Sequence, residues 1–267
     1  MTPLLTAEQL HVIYRAPGRV PVHAVRGVSF RIDAGESLGI VGESGCGKSS
    51  LAKTLIGIQP PSAGTLTFEG RAVGGFSSAE ARGYRRAVQM IFQDAVGSLN
   101  PRMTVRQTLA EVLRVHRMRP EGRTAARIGE LLELVGLPET VLDAYPREIS
   151  GGQCQRVSFA RCLALEPRLI IADEPVSALD VSVQARILNL VRELQARLNL
   201  SIILISHDLA VVRNSCDRVA VMYDGEFVET GIAADVLDAP RHSYTRTLLS
   251  AVPDVARALR QRRGITK

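Results

Sequence analysis

The chain divides into segments whose apolar residues recur with either strand or helix periodicity. Alternating apolar and polar positions in the first forty residues indicate strands, and apolar positions every three or four residues in the middle third indicate a helical lobe. The predicted strands are 23–32, 37–41, 65–68, 88–92, 169–172 and 201–205. The predicted helices of the lobe are 104–116 and 124–135.

A further amphipathic helix separates the last two predicted strands. Its apolar stripe consists of Val183, Ile187, Val191, Leu194 and Leu198. Because a strand, a helix and a second strand follow one another, the two strands are expected to run parallel, which predicts an α/β fold. The sequence contains no internal repeat, so it predicts one such unit in the chain.

Residues 42–49 lie between a predicted strand and a helix and read Gly-Glu-Ser-Gly-Cys-Gly-Lys-Ser. They fit the loop G-x-x-x-x-G-K-S, whose glycines let backbone N–H groups surround a polyphosphate at the positive end of a helix. Lys48 is expected to reach the β- and γ-phosphates, and Ser49 to coordinate magnesium. The alternative is a glycine-rich turn that arose by chance. The predicted nucleotide-binding residues are Gly42, Glu43, Ser44, Gly45, Cys46, Gly47, Lys48, Ser49 and Ser50.

The predicted strand at 169–172 runs into the acidic pair Asp173 and Glu174. Ligands of open α/β sheets bind at the carboxyl ends of the strands, so Asp173 is predicted to hold magnesium. Glu174 is predicted to act on an attacking water as a general base or an orienting group. His207 ends the neighbouring strand and is predicted to donate to the γ-phosphate. The alternatives are a solvated loop acid and an ordinary hydrogen-bonded histidine.

Two further polar segments flank the helical lobe. Gln93 follows a predicted strand, where its amide can contact both magnesium and water, although a lone glutamine can also simply cap a strand. The turn Ser150-Gly151-Gly152-Gln153 opens another helix and offers a hydroxyl and amides to phosphate. One phosphate hardly needs both this turn and the loop at 42–49, so a second nucleotide-binding unit is expected from another chain.

Composition narrows the class of protein. No apolar stretch approaches the roughly 18 to 20 residues of a spanning helix, and the N-terminus does not resemble a signal peptide, so the chain is expected in the cytoplasm. Four scattered cysteines indicate reduced thiols. The net charge of +6 is concentrated partly in a tail that is either solvated or close to an anionic membrane, and nucleic acid is not an expected partner. The tail contains Arg257, Arg260, Arg262, Arg263 and Lys267.

These motifs, followed by Ser177-Ala178-Leu179-Asp180, resemble the nucleotide-binding domain of ABC transporters over nearly the whole sequence. The resemblance implies a P-loop NTPase fold with a parallel-sheet core, an N-terminal antiparallel β subdomain and an inserted helical subdomain. It implies a cassette at 1–238, with the helical lobe at about 98–165, and a short family tail at 239–267. It also implies a head-to-tail pair of cassettes, with Ser150 and Gly151 closing over the partner's ATP and Asp180 at the junction. Tyr14 is the candidate for stacking on adenine, or else an ordinary packing residue.

Finer features are similar to the ATPases of dipeptide, oligopeptide and nickel importers, and most similar to the second of their two ATPase subunits. They lie at residues 98–105, 173–180 and 241–249. The resemblance implies ATP and Mg²⁺ as ligands, and a place on the cytoplasmic face of the membrane. The implied partners are a different ATPase subunit, two membrane permease subunits and, indirectly, an extracytoplasmic solute-binding protein.

The predicted function is ATP hydrolysis coupled to import of dipeptides or oligopeptides. A nickel importer of the same family is the alternative, slightly favoured by the short C-terminal tail. That tail has no cysteine after Cys216, so no iron–sulfur cluster is expected. A soluble ABC ATPase acting on the ribosome or DNA is more remote, because such proteins usually contain tandem domains or a long coiled-coil insertion.

Overall fold

The computed structural model describes residues 2–18, 20–118, 123–177 and 179–250. Ala178 and the basic residues predicted to form the end of the tail lie outside the described residues. Within them the strands are β1 Leu5–Tyr14, β2 Val22–Ile32, β3 Ser37–Val41, β4 Ala63–Phe68, β5 Arg71–Ala72, β6 Val88–Ile91, β7 Leu169–Asp173, β8 Ser201–Ser206, β9 Arg218–Tyr223 and β10 Glu226–Ile232. The α-helices are α1 Lys48–Leu55, α2 Ser78–Ala87, α3 Val105–Val115, α4 Thr124–Leu134, α5 Gly151–Leu163, α6 Val181–Leu198, α7 Leu209–Ser215, α8 Ala233–Asp238 and α9 Ser243–Ser250.

The larger sheet of the described chain has the strand order β10-β9-β3-β8-β7-β6. The strands from β9 to β6 pair in parallel, which confirms the predicted parallel core. The edge strand β10 is antiparallel to β9, so the sheet is mixed, which the sequence did not predict. The sequence pattern also missed β9 and β10 as elements.

Successive residues of the central strands point into two different hydrophobic cores. In β8, Ile202 and Leu204 pack with the helices α3 to α6, whereas Ile203 and Ile205 pack on the opposite face with α1 and the smaller sheet. When both faces of a strand are buried, nearly all of its residues are apolar. Its sequence is therefore a nearly continuous hydrophobic run without the alternation of apolar and polar residues that marks a half-exposed strand. The large sheet is therefore the central layer.

A second, antiparallel sheet has the order β2-β1-β4-β5 among the described residues. The strands β1 and β2 form a hairpin, and the chain returns to β1 through β4 after it has passed through β3 and α1. The structure thus confirms the antiparallel β subdomain that the resemblance implied. Its strand β2 also carries Ala24, whose carbonyl approaches the loop at 42–49.

The helices α3, α4 and α5 form the predicted lobe between β6 and β7. Both predicted lobe helices are confirmed to within one residue at each end. The side chains of Thr104 and Ser150 cap α3 and α5 through reciprocal bonds with Gln107 and Gln153. The predicted stripe of α6 was wrong at Leu198, which is 43% exposed on the last turn of the helix. Within the described residues, no helix has both the length and the apolar character needed to cross a membrane.

The buried ring of Phe159 provides a test of this core. It projects from α5 among apolar side chains of β7, β8 and α6. Phe159→Ala is expected to lower the free energy of unfolding by about 3–5 kcal/mol, because the vacated space cannot fully collapse. Urea denaturation checks this, with Val181→Ala as the control, since Val181 is 82% exposed. Equal midpoints for the two variants would contradict the packing described.

Candidate nucleotide-binding and catalytic site

Strand register brings the predicted site residues to one edge of the large sheet. Val41 of β3 pairs with Ser206 of β8, and Asp173 of β7 pairs with Ile205 of β8. The three parallel strands therefore end at nearly the same level, and the residues that follow them share one surface. That surface receives the loop at 42–49, Glu174 and His207, as expected for the carboxyl edge of an open α/β sheet.

The loop at 42–49 depends on glycine at Gly47. Its φ is 111°, and a Cβ there would lie 2.1 Å from the carbonyl oxygen of Ala24, so no other residue fits without moving β2. Gly45 also adopts a positive φ, of 85°. The Lys48 ammonium is buried inside the loop and donates to the carbonyl oxygens of Gly42 and Glu43, both at 2.7 Å. Carbonyl groups at the start of the loop thus hold the lysine ammonium in place.

Asp173 is buried at the end of β7, near the Ser49 hydroxyl. Burial raises the pKa of this carboxyl, and interaction with the Ser49 hydroxyl opposes that rise. No cluster of three or more His, Cys, Asp or Glu side chains in the described chain could hold a metal. One carboxylate beside one hydroxyl still suits Mg²⁺, which is commonly bound by one or two protein groups together with phosphate oxygens.

The Glu174 carboxylate lies between two of the other predicted residues. Gln93 Nε2 donates to Glu174 Oε2 at 3.0 Å, and His207 Nδ1 lies 3.2 Å from Glu174 Oε1. The Glu174 backbone has a φ of 47°, a left-handed conformation that is uncommon for a residue with a side chain and is often found at functional sites. Its N–H is fixed by Ile205 O at 2.9 Å. The structure therefore holds the carboxylate in one orientation.

A cleft of about 920 Å³ joins these groups. Its walls include residues 42–50 together with Gln93, Glu174 and His207. Tyr14 also lies on the wall and is 38% exposed. His23, Asp224 and Leu248 also line the cleft and were not predicted. The strand pattern could have indicated His23, which pairs with Ile13 next to Tyr14 across the hairpin, but nothing in the spacing pointed to the other two.

The turn at 150–153 lies elsewhere in the chain. Its residues do not line the cleft. Gly151 borders a second depression that shares Gln93, Glu174 and His207 with the cleft, and the other three residues border a third. The Ser150 oxygen accepts from Gln153 N at 3.2 Å, which leaves its own proton free to donate. A Cβ on Gly152 would lie 2.7 Å from Val183 Cγ1, so this glycine is also needed for packing against α6. Asp180, exposed at the N-cap of α6, does not line the cleft either.

One contact to the loop comes from a helix that carried no predicted site residue. Glu43 N donates to the phenol oxygen of Tyr244 in α9, at 3.1 Å. Tyr244 lies in the segment 241–249, whose sequence indicates only a resemblance to the importer ATPases. Spacing alone gave no signal that a residue about 200 positions away would contact the loop.

A parallel sheet whose edge carries this loop, a buried aspartate and a fixed glutamate defines a phosphate-loop nucleotide hydrolase. Residues 25–177 match the family model described as ABC transporter, and residues 228–267 match the model for the oligopeptide/dipeptide transporter C-terminal region. The chain belongs to the ABC transporter family and is one of its ATP-hydrolysing cassettes.

Curated relatives cover most of the chain. It is 50% identical to the oligopeptide transport ATP-binding protein OppF of Escherichia coli K12 over 231 residues, which are 86% of this chain and 69% of that protein. It is 49% identical to the oligopeptide transport ATP-binding protein AppF of Bacillus subtilis 168 over 233 residues, which are 87% of this chain and 71% of that one.

Solved structures share the fold. The dimeric post-hydrolysis structure of the ATP-binding cassette MJ0796, bound to ADP and Pi, superposes with a TM-score of 0.77 at 27% identity, and the match covers 86% of this chain and 98% of that chain. The cbiO1 protein of Clostridium perfringens, part of the transporter complex cbiONQ, superposes with a TM-score of 0.80 at 28% identity. That match covers 97% of this chain and 100% of the cbiO1 chain. The predicted fold class is therefore confirmed.

Asp173→Asn is expected to raise the melting temperature of the nucleotide-free protein. The pKa of Asp173 is raised in the folded state, so ionisation of this group costs stability at every pH above that pKa, and a neutral amide removes the cost. The gain should shrink as the pH falls and the aspartate protonates. Thermal denaturation between pH 7 and pH 4 checks this. A lower melting temperature at pH 7 for the variant would contradict it.

Proposed function

We propose that this chain is the ATP-hydrolysing subunit of an importer for dipeptides or oligopeptides. The observation that carries the hydrolytic part is the Glu174 carboxylate, held by Gln93 and His207 at the mouth of the cleft. The cargo class is supported by the relatives, whose names specify oligopeptide transport, and by the C-terminal family match. A nickel cargo, the alternative, is not favoured by these relatives.

The residues of the cleft have separate roles in ATP binding and hydrolysis. The N–H groups of the loop and the Lys48 ammonium bind the β- and γ-phosphates of ATP. Mg²⁺, held by Ser49 and Asp173 with Gln93 beside them, would neutralise charge on the phosphate oxygens. Glu174 accepts a proton from the water that attacks the γ-phosphorus, while the bond to the ADP oxygen breaks. His207 donates to the γ-phosphate, and the Tyr14 ring stacks on adenine.

A second cassette completes the site. Ser150, Gly151, Gly152 and Gln153 do not line this chain's own cleft. The Ser150 hydroxyl and the N–H groups of Gly151 and Gly152, at the start of α5, are nevertheless available to an anion. Anions are stabilised at such a helix end. These residues therefore close over ATP bound to a partner cassette, with Asp180 at the junction. The dimeric cassette structure noted above supports the pairing.

The proposed assembly places the chain on the cytoplasmic face of the membrane. Its partners are a different ATPase subunit and two permease subunits, with an extracytoplasmic solute-binding protein acting through the permeases. The transport names of the relatives support membrane components in general. Residues 1–238 would form the cassette, with the helical lobe at about 98–165, and 239–267 the family tail. A soluble ABC ATPase has no specific observation in its favour.

Glu174→Gln tests the assignment of the base. The substitution keeps the size of the side chain and removes its ability to accept a proton, so turnover should fall by about 10²- to 10⁴-fold while ATP affinity changes little. Phosphate release and ATP titration measure the two quantities. Glu226→Gln, an exposed position on β10, is the matched control and should behave like the wild type. Wild-type turnover in Glu174→Gln would mean that another group activates the water.

Ser150→Arg tests the shared site. The larger cation blocks approach of the partner's ATP, so ATPase activity of the assembled transporter should fall at least tenfold while this chain still binds ATP. Ser77→Arg removes the same kind of capping box from α2, so it controls for lost helix capping, which costs about 1 kcal/mol. Normal ATPase activity of the assembled transporter with Ser150→Arg would contradict the two-chain site.

A further inference from the structure

The helix α9 is fastened to the large sheet at its start. The two oxygens of the Glu229 carboxylate on β10 accept hydrogen bonds from Arg241 N at 2.7 Å and His242 N at 3.1 Å. The Tyr244 ring packs on the Tyr223 ring at the end of β9, with centroids 4.3 Å apart. Backbone, carboxylate and ring contacts together fix where the first turn of α9 lies.

This placement brings the Tyr244 phenol to the loop at 42–49. The phenol oxygen accepts the Glu43 N–H at 3.1 Å, and the Glu43 carbonyl accepts from the Lys48 ammonium at 2.7 Å and from Cys46 N at 3.3 Å. Both sides of Glu43 are thereby held, one by the loop's own lysine and the other by α9. One turn further along, Leu248 lines the cleft itself.

We propose that Tyr244 is a positioning residue for the nucleotide, which holds the first turn of the phosphate loop in its binding conformation from the C-terminal helix. The inference rests on the proposed function, because the loop is taken to bind ATP. A loop whose N–H groups already converge loses less conformational freedom on binding, and its apparent affinity rises with the fraction of molecules in that conformation. The C-terminal segment thus contributes to nucleotide affinity without touching the phosphates.

Tyr244→Phe separates positioning from folding. The variant keeps the ring on Tyr223 and removes only the acceptor for Glu43 N–H. Loss of one neutral hydrogen bond should weaken binding of ATP by roughly threefold to tenfold. In the assembled transporter the KM for ATP should rise by a similar factor while kcat stays within about twofold, since the lost contact favours binding and not the transition state.

The measurement is titration of the full chain with Mg²⁺ and a non-hydrolysable ATP analogue, alongside thermal denaturation without nucleotide. Tyr223→Phe is the matched control, because its hydroxyl has no hydrogen-bond partner among the described side chains and backbone groups and the ring contact is retained. It should bind the analogue like the wild type. The melting temperature of Tyr244→Phe without nucleotide should lie within about 5 °C of that of Tyr223→Phe, because only one hydrogen bond is lost.

A second variant tests whether the influence of Tyr244 on nucleotide binding depends on the contacts that hold the start of α9. Glu229→Ala frees the start of the helix, so it should weaken analogue binding in the same direction. Because both substitutions act on one chain of contacts, their effects should be less than additive in the double variant. Full additivity would show that α9 does not carry the effect of Tyr244.

Unchanged affinity in Tyr244→Phe, with Lys48→Ala still impaired, would overturn the role of Tyr244 and leave the proposed function intact. An equal loss of affinity in Tyr223→Phe would also overturn it, since the phenol-to-loop bond would then not be the cause. Failure of the wild-type chain to bind the analogue at all would instead refute the proposed function. The two failures are therefore distinguishable.

Discussion

The shared level at which three parallel strands end is the constraint on which the rest of the site depends. Hydrogen bonding fixes β3, β7 and β8 side by side, so the residues after Val41, Asp173 and Ser206 must meet. Apolar side chains on both faces of these strands hold that register, because a slip of one residue would exchange the two cores. The position of the chemistry thus follows from hydrophobic packing remote from it.

The most predictable features were those encoded by local sequence. Strand ends followed by Asp173, Glu174 or His207 could be read from apolar runs, and the capped start of α5 could be read from Ser150 and Gln153. The left-handed backbone of Glu174 could not, because its N–H is bonded to Ile205 on a strand that is distant in sequence. The need for glycine at Gly152 is likewise set by Val183 on α6. Edge strand β10 was missed because its residues are mostly half-buried and show no clean alternation.

The nucleotide site has one set of groups that this chain assembles by itself and another set that the proposed partner cassette supplies. Within one chain, the loop, the aspartate and the glutamate are already assembled, whereas Ser150, Gly152 and Gln153 border a depression that shares no residue with the cleft. In the proposed cassette pair, closure would complete the phosphate contacts and so link the state of the nucleotide to the distance between subunits. The hydrogen bond between Glu43 and Tyr244 of α9 also connects the phosphate loop to the C-terminal segment.

ATP hydrolysis by the assembled transporter in lipid is the most direct test of transport coupling. The chain would be copurified with its permease subunits and second ATPase, and assayed with the solute-binding protein loaded with peptide, loaded with nickel or empty. We expect peptide-loaded binding protein to stimulate hydrolysis severalfold over the empty form. Hydrolysis that is indifferent to every partner would contradict an importer, and stimulation by nickel alone would contradict the peptide cargo.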